Sequence, residues 1–441
     1  MVFPAIRIRT HLQTVTLFLC AIVAAFFISA KSAQSDEPKF QGVGSCSSSN
    51  CHGAQSPRKG SRILQNEYVT WTKHDKHAAA WRVLTEAGGR SIGRNLGIDH
   101  PEKAPECLSC HAGGVDPARA DPKYTVEDGV GCESCHGASE QWLSAHTALE
   151  ATFSNNVSLG LSDLTDAKDR ASLCLSCHLG DGSREVPHRL YGAGHPRISF
   201  ELDTFSALMP AHWQVDKDYT DRKGDYQPAH FWLVGLAVQA REAVLRIGRY
   251  RSTPHAAHGL PEFSTFNCFS CHHSLESREF ERSNYGGKPG EPRLNLSTVE
   301  LLSAALRGLN NDLAAALDLR LKDIAESEGE ILTDNITKLA ADLADQTPAI
   351  QQLKIDRKVC GKLAANLVGS ADKAAKIYYE QAEQVAMGLS ALFSGPCGEA
   401  NSYGQQMGRL YKILQAPSGF DEAPFRKSIK EIAVSVTKNG P

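Results

Sequence analysis

Methionine is scarce: the chain has four in 441 residues, and Met209 is the single one between residues 46 and 273. Charge of one sign is lacking too. Lys and Arg number 47 against 50 Asp and Glu, and no stretch gathers basic residues into a phosphate-binding patch, which speaks against nucleic acid as a partner. Past residue 40 no apolar run is long enough to cross a bilayer. The long run that does exist, Val15 to Ile28, follows Arg7 and Arg9 and precedes the small-residue segment SAKSAQS. That is the pattern of an export signal, here residues 1–33. Cleavage after Ala30 and cleavage near Ser32 both fit it. The run is short for a spanning helix, although an uncleaved anchor is the alternative. Cys20 follows Leu19 instead of a small residue, so no lipid attachment is expected there. The mature chain is expected to be exported to the periplasm and not integral to the membrane. Its length suggests two or three domains.

What the sequence has in number is cysteine followed by histidine. Of thirteen cysteines, ten form five close pairs, and each pair runs directly into a histidine. They are CSSSNCH with Cys46, Cys51 and His52, then CLSCH with Cys107, Cys110 and His111, and CESCH with Cys132, Cys135 and His136. A second CLSCH holds Cys174, Cys177 and His178, and CFSCH holds Cys268, Cys271 and His272. Cys-x-x-Cys-His is the attachment signature of c-type haem. Two thiols add to the two vinyl groups on one porphyrin edge, and the next residue lies beneath the iron. A zinc site needs paired Cys/His clusters and gives no reason for histidine to follow every second cysteine. A thioredoxin-like dithiol needs one such pair, not several. The first pair has two residues too many, yet Ser47, Ser48, Ser49 and Asn50 are small or polar and can loop out. Five covalently bound c-type haems, and their iron, are therefore expected.

Cys360 and Cys397 have no adjacent histidine, and in an oxidising compartment they are expected to form a disulfide. Closing that loop would stabilise the C-terminal region by about 4 kcal/mol on the chain-entropy model.

The five motifs fall within residues 46–273, too little polypeptide per cofactor for ordinary cores. The expected fold is mainly α: short helices and loops wrapped around stacked haems over 40–283, then a C-terminal helical domain over 295–441. Helical spacing marks 67–88, 228–250 opened by Pro228, and long Ala/Leu-rich stretches from about 296 onward. The segment NYGGKPGEPRLN, 284–295, marks the boundary.

Each iron has a proximal histidine in its motif, and a second imidazole would make it six-coordinate. Ligand identity is a main control on potential. Met209 allows methionine ligation at most once, so imidazole must dominate. His77 is the leading distal candidate, on the 67–88 helix before three alanines that leave room for a porphyrin face. His74 lies three residues earlier on the same side of that helix. His146, ten residues past His136, follows. Then come His195, where Gly192 and Gly194 permit close approach and Pro196 restricts the chain, and His188. His230 opens the 228–250 helix, where it caps the helix or packs on a haem edge. His100, His212, His255 and His258 lie in loops and are read as solvated, and His273 cannot share an iron with His272.

With these residues in view, the chain resembles the multihaem cytochromes c related to the nitrifier tetrahaem cytochrome and hydroxylamine oxidoreductase. The resemblance rests on HDKHAAAWRVL, APECLSCHA, DGVGCESCHGASEQWLSAH, GAGHPRISFEL and FNCFSCHHSL, and covers about residues 40–280. It implies closely stacked haem pairs on a helical scaffold and distal roles for His77, His146 and His195. The fifth motif, the longer first spacer and the helical tail depart from the tetrahaem pattern.

The expected function is an exported carrier passing single electrons along a haem chain in a respiratory or nitrogen-cycle pathway. Its partners would be redox proteins, and docking to a membrane respiratory complex is compatible with the tail. Propionates make the loaded protein more acidic than its sequence, which favours partners that offer a basic docking face. The rival is a redox enzyme with one open haem acting on hydroxylamine, nitrite or nitric oxide. The lysine-ligated motif Cys-x-x-Cys-Lys of related nitrite reductases does not occur. Arg184, Arg189, Tyr191 and Arg197 surround His188 and His195 and would line an anion pocket or pair with propionates.

Overall fold

A computed structural model of the chain describes residues 37–252, 261–272, 285, 292–394, 400–415, 417 and 420–438. The export signal, His255, His258, His273 and Cys397 lie outside the described residues, as does most of 284–295. The protein is mostly helical, 64%, with almost no strand. Two isolated bridges, Phe40 with Ala120 and Phe266 with Leu294, are the β pairing among the described residues.

The N-terminal half is made of short pieces. In chain order they are α1 (Glu67–His74), α2 (Arg82–Thr85), α3 (Ala87–Leu96), α4 (Pro105–His111), α5 (Cys132–His136), α6 (Phe153–Ser158), α7 (Ala167–Leu175), α8 (His188–Gly192), α9 (Leu202–Leu208) and α10 (Lys217–Lys223). Side-chain caps explain several of the breaks. Asp75 leaves the helical region at φ −88°, ψ 127° and accepts the His77 backbone N–H, ending α1 and starting a 3₁₀ turn, Lys76–Ala79. The single helix expected over 67–88 is therefore three helices and a 3₁₀ turn, because aspartate offered the backbone a competing partner. Asp166 caps α7 in the same way through the Asp169 N–H.

The second half is long helices around one axis. α11 (Pro228–Ser252) is buried without interruption from Phe231 to Val238. A helix apolar on all sides must be enclosed on all sides. Around it stand α12 (Ser297–Leu306), α13 (Asn311–Glu326), α14 (Gly329–Gln351), α15 (Arg357–Lys373), α16 (Tyr379–Ser394), α17 (Ala400–Ile413) and α18 (Glu422–Lys438). α14 lies along α11, and α7, α9, α12 and α16 pack on its other sides. Two glycines allow this closeness. A Cβ on Gly235 would come 2.6 Å from Leu202 of α9, and one on Gly388 of α16 would come 2.6 Å from Trp232.

One hydrophobic core therefore runs from α7 and α9 through α11 into the tail, taking in Leu175, Leu202, Trp232, Leu302, Leu339, Leu367, Leu389 and Phe425. Between residues 37 and 165, by contrast, Val43, Leu84, Ala112, Ala138 and Trp142 are the buried hydrophobic residues. So thin a core cannot by itself offset the entropy of ordering that much chain. Something other than side chains must fill it. Trp232→Ala should cost about 3–5 kcal/mol in guanidinium denaturation, since the indole is fully buried at the centre of the larger core.

Candidate haem sites

The four Cys-x-x-Cys-His motifs sit at helical turns. CLSCH ends α4, CESCH is the whole of α5, the second CLSCH passes from α7 into a π turn at Ser176–Gly180, and CFSCH opens on a 3₁₀ turn at Cys268–Ser270. In the last of these the His272 N–H donates to the Cys268 carbonyl at 2.9 Å. The longer first motif keeps the same closing bond. His52 N–H donates to the Cys46 carbonyl at 3.2 Å, while Cys51 and Gly53 close a turn onto the Ser48 carbonyl at 2.8 and 2.9 Å. The extra residues are looped out, and Arg58 and Gln65 hold the loop through the Ser49 and Asn50 carbonyls.

Each motif histidine faces one other histidine. Ring centroids are 6.2 Å apart for His52 and His146, 6.3 Å for His178 and His77, and 6.4 Å for His111 and His195. They are 6.4 Å apart for His136 and His212 and 6.3 Å for His272 and His188. The interplanar angles differ widely, from 11° to 86°, so ring stacking does not set the common distance. A shared metal would: with metal–imidazole bonds of about 2 Å, two rings on opposite sides of one ion have centroids about 6 Å apart. Among the described residues no group of three or more His, Cys, Asp or Glu side chains converges as a zinc site needs.

The other ring nitrogen is also accounted for in six of the ten. His52 Nδ1 bonds Glu67 at 2.9 Å and His77 Nδ1 bonds Asp75 at 2.9 Å. Nδ1 of His111, His146 and His195 lies 2.7, 2.6 and 2.8 Å from the carbonyls of Ala80, Leu143 and Pro196. His212 Nδ1 is a longer 3.4 Å from the Pro210 carbonyl. A carbonyl only accepts, so Nδ1 carries the proton and Nε2 is left with the lone pair a metal needs. Burial lowers the pKa of His136 and of His178 to about 4, holding both neutral. The Glu67 and Asp75 carboxylates push His52 and His77 upward instead.

The sites also adjoin one another. The Cys46 thiol lies beside Cys132, and that of Cys110 beside Cys177. Cys135 is within electrostatic reach of Cys174 and Cys177. Tyr191 on α8 stands between the second and fifth sites, 6.2 Å from the His195 ring and within electrostatic reach of Cys268.

Residues 45–137, which hold the first three motifs, match the family model described as cytochrome c554 and c-prime. Cytochrome c-554 of Nitrosomonas europaea is 28% identical over 184 residues, covering 37% of this chain and 68% of that protein. Both matches support a relation to the nitrifier multihaem cytochromes c. That relation supports reading the chain as a c-type cytochrome in electron transfer, with bound haem iron and redox partners. No solved structure matches it. No helix among the described residues is long and apolar enough to cross a membrane.

Several residues stand elsewhere than the sequence suggested. His74 ends α1 and is exposed, and with the helix broken at Asp75 it no longer shares a face with His77. His212, read as a solvated loop residue, is the one that faces His136, with the Trp213 ring packed on it at 4.9 Å. The sequence signal was slight: a proline two residues before it and a tryptophan after it. His100 is paired to Glu102 at the surface, and His230 lies half-buried against Phe231. The arginines form no anion pocket. Arg184 binds Asp181 and the carbonyls of Ser109 and Gly113, Arg189 binds Glu106, and Arg197 binds Glu383. Cys360 is disulfide-bonded.

Proposed function

We propose that this chain is an exported pentahaem electron carrier, with thioether links at the five cysteine pairs and bis-histidine ligation throughout. The observation that carries the reading is that all five motif histidines face a second imidazole at one distance, 6.2–6.4 Å. Bound haem supplies the one-electron couple of its iron. The chain's own part is to hold ten imidazoles in place, largely through their Nδ1 bonds, and to exclude water from the buried sites. It also sets the sites side by side in the order first, third, fourth, second, fifth, a contiguous series suited to one-electron relay.

An enzyme acting on a small nitrogen compound needs a position for its substrate. Here the second position at every motif is filled by histidine, and the arginines nearest His188 and His195 are occupied by carboxylates or carbonyls. The export pattern supports a periplasmic location, and the resemblance to a nitrifier cytochrome supports a respiratory or nitrogen-cycle pathway. The helices from residue 295 onward would then brace the fifth site and offer a surface to a partner, a membrane complex included.

Pyridine haemochrome analysis and intact mass of the matured protein should return five haems per chain. EPR and optical spectra should show low-spin haem alone. A substantial high-spin fraction that binds nitrite, hydroxylamine or nitric oxide would overturn the carrier reading in favour of the enzyme.

A further inference from the structure

The fifth site differs from the others in being built against the long-helix half of the molecule. Phe269, inside the CFSCH motif, packs on Tyr379 at the start of α16, with ring centroids 5.9 Å apart. The next residue, Glu380, is 7% exposed and reaches the Cys268 thiol. Among the described residues no other residue's nitrogen or oxygen hydrogen-bonds its carboxyl oxygens, which have only the Cys268 thiol and Glu380's own backbone N–H in reach. Buried carboxylates are costly unless paired, and the nearest cation is already taken. Arg197 donates to both oxygens of Glu383 at 2.8 Å, Ser199 donates to the same carboxylate at 2.7 Å, and the guanidinium lies 5.0 Å from the Tyr379 ring centroid. Once Cys268 is a thioether it has no proton to give, and Glu380 loses even that neighbour as a donor.

A buried acid with no nitrogen or oxygen donor from another described residue, aimed at a haem attachment sulfur, points to the haem as its partner. We propose that Glu380 is the residue that sets the potential of the haem bonded to Cys268 and Cys271. The inference rests on the pentahaem reading. A ferric bis-imidazole haem core carries one net positive charge and a ferrous core none. The Glu380 carboxylate therefore stabilises the oxidised form and lowers that site's potential relative to a neutral side chain. Groups facing it are Arg197 and Glu383, which offset each other, and Tyr379. The position lies on α16, outside the span that matches the family model. Burial raises the carboxyl pKa, so the comparison is made at pH 8.

The test is a redox titration of the matured holoprotein and of its Glu380→Gln and Glu380→Met variants, resolved into five one-electron components. One component should move to higher potential by a tenfold change in its reduction equilibrium or more, which is 59 mV for a one-electron couple. It should be the component whose low-spin signal is lost in His188→Ala. Glu380→Asp should stay near the parent value. Five haems with no component moved, or with a different one moved, would overturn the inference alone. Four haems by intact mass would instead overturn the pentahaem reading beneath it. Removing an unpartnered buried acid should leave maturation intact, so failure of both neutral variants to mature would show that Glu380 has a structural partner and would also overturn the proposal.

Discussion

On the pentahaem, bis-histidine proposal, replacing His212 by alanine is expected to turn one of five low-spin haems high-spin without lowering the haem count. His212 is the imidazole that the structure sets opposite His136, 6.4 Å from ring to ring. Attachment depends on Cys132 and Cys135, which the substitution leaves alone. EPR of the oxidised protein should therefore lose one low-spin component and gain a high-spin signal, and that site alone should take up an exogenous ligand such as imidazole or cyanide. His74→Ala, by contrast, should leave the spectrum as it was, because that residue is exposed at the end of α1. An unchanged spectrum for His212→Ala would remove the bis-histidine assignment of the third site.

The contrast between these two histidines shows what could be read along the chain and what could not. The motif cysteines and their histidines are neighbours in sequence because porphyrin geometry demands it, so they were legible directly. Distal histidines carry no such constraint. His77, His146, His188 and His195, each of which faces a motif histidine, were proposed where local features, alanines, a neighbouring motif or glycine and proline, signalled room for a flat group. His212 had little beyond Pro210, and its ring is brought to His136 by folding across the molecule. His74 was proposed from helical spacing, which fails because the Asp75 side chain caps the next turn instead of letting α1 continue. The mainly helical class was legible from periodicity, but the extent of the core was not. A boundary at 284–295 suggests separate haem and helical parts. Yet α11, on the haem side of it, is buried by helices from the other side. The uninterrupted apolar run from Phe231 to Val238 was the sign that this helix would be enclosed rather than surface-lying.

Glu133→Ala should be among the most damaging single substitutions outside the ligands. Glu133 lies within CESCH, between the third site's two cysteines, and is 4% exposed. Its carboxylate accepts the backbone N–H groups of Gln41 at 2.8 Å, Gly42 at 2.7 Å and Ser139 at 2.8 Å. One side chain thereby ties the segment entering the first motif to the helix of the third, where Cys46 and Cys132 meet. A hydrogen bond to a charged group contributes about 1.5–3 kcal/mol, and buried donors left unsatisfied cost more. Alanine removes both acceptor oxygens, and with them all three hydrogen bonds, so a loss of about 4 kcal/mol or more is expected, a large share of a domain's whole stability. Glutamine keeps one carbonyl oxygen and should lose about half as much. Guanidinium denaturation followed by circular dichroism and by the Soret band would measure both. The alanine variant should also mature with the first and third haems under-occupied, since two attachment sites depend on one carboxylate. Equal stability of the alanine and parent proteins would mean that the porphyrins, not Glu133, hold the two segments together.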